Sequence, residues 1–130
     1  MTETLSEFAH AAELSGASLA AIETAVKRMQ RTVLDAEMGL TTAIDAFDLL
    51  GVTLEDVQGK TPEEQFEVLS MALADVEDAS KRAAVAQMIF GRAGTQLLPM
   101  LAAGREGIAA MRQEARELGL VFSQEAADDA

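Results

Sequence analysis

A chain of 130 residues with 22 acidic and 10 basic side chains has a formal charge of −12, which opposes binding to nucleic acid, where Lys and Arg must displace counterions, and repels anionic lipid headgroups. There is no cysteine, hence no disulfide and no thiolate nucleophile, and no uncharged stretch nears the roughly 20 residues that span a bilayer. Hydrophobic residues reach 49% but aromatics only 4%, so the core must come from Ala, Leu, Val, Ile and Met, in one domain or in two helical sub-units, 1–60 and 61–130.

The N-terminus, Met1-Thr2-Glu3-Thr4, is acidic and lacks a following apolar run, unlike a secretory signal. Residues 4–14 predict a short helix, separated by Gly16 from a longer one near 18–38. In the longer helix Leu19, Ile22, Val26, Met29, Val33, Ala36 and Leu40 recur at steps of three and four, a narrow apolar seam of coiled-coil type. Ser18 is placed to cap its start and Gly39 to stop it. Thr41 or Thr42 is then expected to cap a helix carrying Ile44, Phe47 and Leu50, with Gly51 at the left-handed C′ position.

Thr53 to Val57 predict a single turn that ends at Gly59 and Lys60. Thr61-Pro62-Glu63-Glu64 is a strong start signal: Thr61 at the N-cap, Pro62 at the first helical position and Glu64 closing a capping box. Phe66, Leu69, Leu73 and Val76 are the seam of that helix. Asp78 is placed to cap the next, 79–90, whose Ala83, Val85, Ala86, Met88, Ile89 and Phe90 give a broad apolar surface, so it is expected to be the most buried of all.

Gly91-Arg92-Ala93-Gly94-Thr95 interrupts the pattern, and Leu97, Leu98, Met100 and Leu101 form a short apolar piece around Pro99. Ile108, Met111, Ala115 and Leu118 are the seam of a helix from about 105 to 118, stopped by Gly119. Leu120-Val121-Phe122 is the one alternating segment, and Ser123-Gln124-Glu125-Ala126 opens a further helical turn, cut short at Ala130 as if taken from something longer. The expectation is an all-α array or bundle of about six to eight short-to-medium helices with no significant sheet.

Reactive groups are sparse. Acidic pairs occur at Asp45 and Asp48, Glu55 and Asp56, Glu63 and Glu64, Glu77 and Asp78, and Asp128 and Asp129. Most fall in first turns or loops, where carboxylates favour the helix dipole and stay hydrated, the opposite of the desolvated setting that acid–base catalysis needs. Asp45 and Asp48 share a helix face, but two oxygens fall short of a calcium shell. His10 is the single histidine and lacks the cysteine or second histidine of a zinc site; it is expected on the surface or in a groove. Gly91 to Thr95 lacks the Gly-Lys-Ser/Thr end of a phosphate loop and follows a helix instead of a strand, so a helix-breaking turn is the simpler reading. Met29, Met88 and Met111 read as core filler. No catalytic, cofactor-binding or metal-binding residue is expected, and no enzymatic activity.

Several stretches carry a resemblance in order along the chain, from about residue 8 to residue 127. They are Lys27-Arg28-Met29-Gln30-Arg31, Ala46-Phe47-Asp48-Leu49-Leu50-Gly51-Val52, Thr61-Pro62-Glu63-Glu64-Gln65-Phe66 and Glu114-Ala115-Arg116-Glu117-Leu118-Gly119. The densest runs from Lys81 to Pro99, an Arg/Ala-rich helix leading into Phe90-Gly91-Arg92-Ala93-Gly94 and then Leu97-Leu98-Pro99. Together they resemble the tail tape measure proteins of phages and prophages, of which this chain would be an internal piece.

The resemblance implies a structural, non-enzymatic role in setting tail length and nucleating the tail tube. It implies partners among other copies of the chain and the tail tube and tail assembly proteins, and a location inside the tail of the virion, with assembly in the bacterial host cytoplasm. No cofactor, nucleic acid, membrane or small-molecule substrate is implied for this segment. Two rivals stand beside it. One is a helical protein–protein interaction adapter of bacterial or prophage origin, using an exposed seam; the other is a cell-wall hydrolase region, which would need an acid in an apolar pocket.

Overall fold

The computed structural model describes residues 3–119. Leu120-Val121-Phe122 and the turn expected at Ser123-Gln124-Glu125-Ala126 lie outside the described residues. Within them the fold is all-α, with eight helices and no strand: α1 (Glu3–Leu14), α2 (Leu19–Glu37), α3 (Thr41–Leu50), α4 (Leu54–Val57), α5 (Pro62–Ala74), α6 (Ala79–Phe90), α7 (Ala93–Ala102) and α8 (Gly104–Glu117).

Most boundaries follow from local capping chemistry. The Ser18 side chain accepts a hydrogen bond from the Ala21 amide (3.2 Å) at the start of α2. At α5 the Thr61 hydroxyl accepts from the Glu64 amide (3.2 Å) while the Glu64 carboxylate accepts from the Thr61 amide (3.0 Å), so each satisfies an orphan donor of the other. Asp78 Oδ1 accepts from the Ser80 and Lys81 amides at the start of α6. At the end of α3, Gly51 adopts φ +69°, and the Val52 amide reaches back to the Phe47 carbonyl (3.0 Å), a Schellman closure that a side chain at Gly51 would strain.

The central element is α2. Its predicted seam does pack: Ile22, Met29, Val33 and Ala36 are buried, while Leu19 and Val26 sit at the margin and Leu40 is exposed. The partners come from the same chain, since α2 touches α1, α3, α4, α5, α6 and α7. The buried Thr32 hydroxyl also donates to the Ile89 carbonyl (2.9 Å), tying α2 to α6. Core side chains from both sides of residue 60 belong to one apolar cluster, including Phe8, Met29, Phe66, Phe90, Leu97 and Ile108.

At its centre, Phe66 on α5 meets Phe8 edge-on (centroids 5.1 Å apart) and Phe90 at a tilt (5.4 Å). Three of the five phenylalanines therefore stack at the crossing of α1, α5 and α6. The helix pairs in most extensive contact are α1 with α8 and α6 with α7. The α1–α8 pairing brings the two ends of the described chain side by side.

Four local expectations are corrected. The N-cap of α3 is Leu40, without a side-chain cap, because the turn at Gly39 already starts the helix at Thr41. The most buried helix is not α6, which buries four of its 12 residues; α5 buries seven of 13 and α1 six of 12. Small residues Ala9, Ala11 and Ala12 let α1 sit close among its neighbours, whereas Ala83 and Met88 of α6 stay at the rim. The interruption after Phe90 is shorter than expected, since α7 starts at Ala93 and continues as helix through Pro99.

The close α6–α7 turn depends on Gly94, where a methyl group would come within 2.6 Å of the Ala86 carbonyl oxygen. Finally, Ile44 and Leu118, expected on seams, are exposed, and Leu50 is only half-buried.

Candidate functional site

Charged residues converge between α1, α5 and α8. Glu7 lies on the buried face of α1, its side chain 7% exposed. Two arginines one turn apart on α8 grip it: Arg112 Nε donates to Glu7 Oε1 at 2.9 Å and Arg116 Nη1 donates to the same oxygen at 2.6 Å. Arg112 also donates through Nη2 to Glu67 Oε2 on α5 (2.6 Å), and its guanidinium lies 4.6 Å from the centre of the Phe8 ring. Two carboxylates and two guanidiniums make a neutral cluster in which the buried charges are paired, the condition under which charge is tolerated away from water. Its chemistry is that of a fastener between three helices.

Close by, His10 Nε2 is buried without a hydrogen-bond partner among the described residues, 3.8 Å from Glu114 Oε1. His10, expected on the surface or in a groove, is partly buried, with its side chain 11% exposed. A cleft of about 520 Å³ opens beside the cluster, lined in part by Val52, Glu67, Met71, Asp75, Arg105 and Arg112. Both its cations are engaged: Arg105 grips Asp75 through two nitrogens (3.1 and 2.8 Å) and Arg112 holds Glu67. An anion entering this cleft would have to displace a carboxylate. A second, more apolar groove of about 310 Å³ lies between α2, α3 and α4, lined by Ala36, Ile44, Phe47, Val52 and Leu54.

The acidic pairs divide as capping chemistry dictates. The Asp56 carboxylate accepts from the Thr53 amide (2.8 Å), and Glu64 and Asp78 cap α5 and α6, while Asp45 and Asp48 are exposed on α3; Asp128 and Asp129 lie outside the described residues. Among the described residues no three His, Cys, Asp or Glu side chains converge as a metal site requires, and no helix is long and apolar enough to cross a membrane. Gly91 takes φ +67° and breaks the α6–α7 run. Met29 is in the core; Met88 and Met111 pack against it.

Three carboxyls are held below their ordinary range by these contacts: Asp56 and Glu64 first by the amides of Thr53 and Thr61, Asp75 first by the Arg105 hydrogen bonds. A carboxyl depressed in the folded state adds stability above its unfolded value, about 3.9 for Asp and 4.3 for Glu, and that contribution is lost as pH falls through the lower folded value. The variant Asp56→Asn/Glu64→Gln/Asp75→Asn should therefore melt below the wild type at pH 6, with the gap closing towards pH 3. Thermal melts followed by circular dichroism across this range test it, and a gap independent of pH would contradict the assignment.

Sequence reasoning missed the Glu7 cluster. One signal was present: Arg112 and Arg116 follow Ile108 at helical spacing and so share a face with the buried residues of α8. Comparison of the chain with protein-family models, with curated proteins and with solved structures yields no match.

Proposed function

We propose that this chain is a structural, non-enzymatic segment of a phage tail tape measure protein, acting through helix–helix association to help set tail length and nucleate the tail tube. The carrying observation is that the residues bearing the resemblance have architectural jobs. In the stretch from Lys81 to Pro99, Phe90 and Leu97 are fully buried, Gly91 supplies the left-handed break and Gly94 admits the close approach of α7 to α6. Arg82 donates to the Val76 carbonyl (2.6 Å), holding the turn between α5 and α6. The buried charge of the molecule likewise joins helices together. On this reading the partners are other copies of the chain and the tail tube and assembly proteins, met in the host cytoplasm and then inside the tail.

A ruler converts residues into distance at about 1.5 Å per helical residue, so these 130 residues correspond to roughly 195 Å when drawn out as helix. In-frame deletion of this segment from its phage or prophage gene should shorten the tails seen by electron microscopy by up to that length. Tails of unchanged length would sink the proposal. The alternative, a helical interaction adapter, is favoured by the solvent-exposed Leu34, Met38 and Leu40; it predicts normal tail length after the same deletion.

A further inference from the structure

The seams read from the sequence are covered within the chain except at Leu40, Ile44 and Leu118, so association between molecules must use what stays exposed. Seven large apolar side chains are exposed among the described residues, and five of them, Leu34, Met38, Leu40, Ile44 and Leu49, fall on the α2–α3 hairpin. On α2 and its C-cap, Lys27, Arg31, Leu34 and Met38 follow at steps of four, three and four, which aligns them on one face opposite the buried Ile22, Met29 and Val33. Lys27 and Arg31 are exposed and have no ion-pair partner among the described residues, in contrast to Arg105, Arg112 and Arg116.

The outer face of α3 is the electrostatic complement. Asp45 and Asp48 are exposed there and have no ion-pair partner among the described residues, flanked by Ile44 at 38% and Leu49 at 45% exposure. Asp48 lies in the last turn of α3, which holds no basic residue, where the negative end of the helix dipole disfavours a carboxylate and a cation from outside would relieve it.

We propose that the α2–α3 hairpin is a docking surface for a second copy of this chain. The Lys27/Arg31/Leu34/Met38 stripe of each copy seats on the Asp45/Asp48 face of the other, flanked by Ile44 and Leu49. Because both faces lie on one hairpin, a two-fold axis lets each molecule give and receive the same contact, and the assembly closes at two. The charge pairing supplies orientation and the apolar side chains most of the affinity. This surface is deduced independently of the tail reading: a dimer test and a tail-length measurement can fail separately.

The test is the mass of the intact 130-residue chain by multi-angle light scattering and sedimentation over a range of concentrations, with circular dichroism to verify folding. Every substituted side chain is exposed, so the fold should persist. A dimer is expected. Leu34→Glu/Met38→Glu should weaken it on the order of 100-fold, and Lys27→Glu/Arg31→Glu on the order of 10-fold. Asp45→Lys/Asp48→Lys should also weaken it, although two reversals move the net charge by four, from −12 to −8, and so reduce overall repulsion between copies. Combining both charge reversals in one chain should restore the dimer to within a few-fold of wild type. A monomer at every concentration, mass growing beyond two copies, a dimer indifferent to Leu34→Glu/Met38→Glu, or a combined variant no better than its parents would each overturn the proposal.

Discussion

Replacing Phe66 by alanine is expected to destabilise the bundle by about 4 kcal/mol, the largest effect of any single truncation in this core. Phe66 is fully buried and, among the described residues, is the one ring that touches two others, Phe8 on α1 and Phe90 on α6. Its removal forfeits the transfer free energy of the ring, leaves a cavity and breaks both aromatic contacts, each contributing about 1 kcal/mol beyond area burial. Its neighbours Phe8 and Phe90 are held on α1 and α6, and the remaining core side chains are mostly aliphatic, so the space is only partly refilled. Urea denaturation should show the midpoint falling with little change in slope. Phe66→Leu should recover part of the loss, because it restores apolar volume without the ring geometry. A loss below about 1 kcal/mol for Phe66→Ala would mean that the three-ring junction does not carry the core.

The second large effect is electrostatic. Glu7→Ala should cost about 3 kcal/mol, a fall in melting temperature of roughly 10 °C, because it leaves the guanidinium of Arg112, 16% exposed, without its shared partner at the α1–α8 contact. Arg112→Ala should cost a similar amount by leaving buried Glu7 with only the half-exposed Arg116 as partner and by uncovering Phe8. The combined variant Glu7→Leu/Arg112→Met is expected to lie near wild type. Its remaining charges, Arg116 and Glu67, are 46% and 41% exposed and can turn to water. A double-mutant cycle on chemical denaturation measures the coupling. Additive losses, with no recovery in the double variant, would show that the pair does not act as a unit.

How far the sequence discloses the fold depends on the range of the interaction. Features decided within four residues were legible: the Thr61/Glu64 box, the Ser18 and Asp78 caps and the stops at Gly39 and Gly51 all depend on near neighbours. The seam of α2 was legible for the same reason, because helical periodicity fixes which side chains share a face. What it packs against was not, since a seam looks the same whether its partner lies in the same molecule or in another.

The α7 helix was obscured by Gly94 and Pro99, both poor helix formers, whose local penalties are outweighed by the burial of Leu97, Met100 and Leu101. The Glu7 fastener was beyond reach, because no spacing rule relates residues 105 positions apart. Its polar members also disguised the buried face of α1. The expected roles of the acidic pairs as caps were legible at Asp56, Glu64 and Asp78, where the chemistry is again local.

The pairing of the first described helix with the last has a consequence in time. Glu7 and Arg116 are 109 residues apart, and at roughly 5 to 20 residues per second a ribosome adds the second some 5 to 20 s after the first. Throughout that interval the nascent α1, with Phe8 and its unneutralised carboxylate, has no α8 to lie against. The α1–α8 fastener is therefore the last part of the described fold that can close during synthesis.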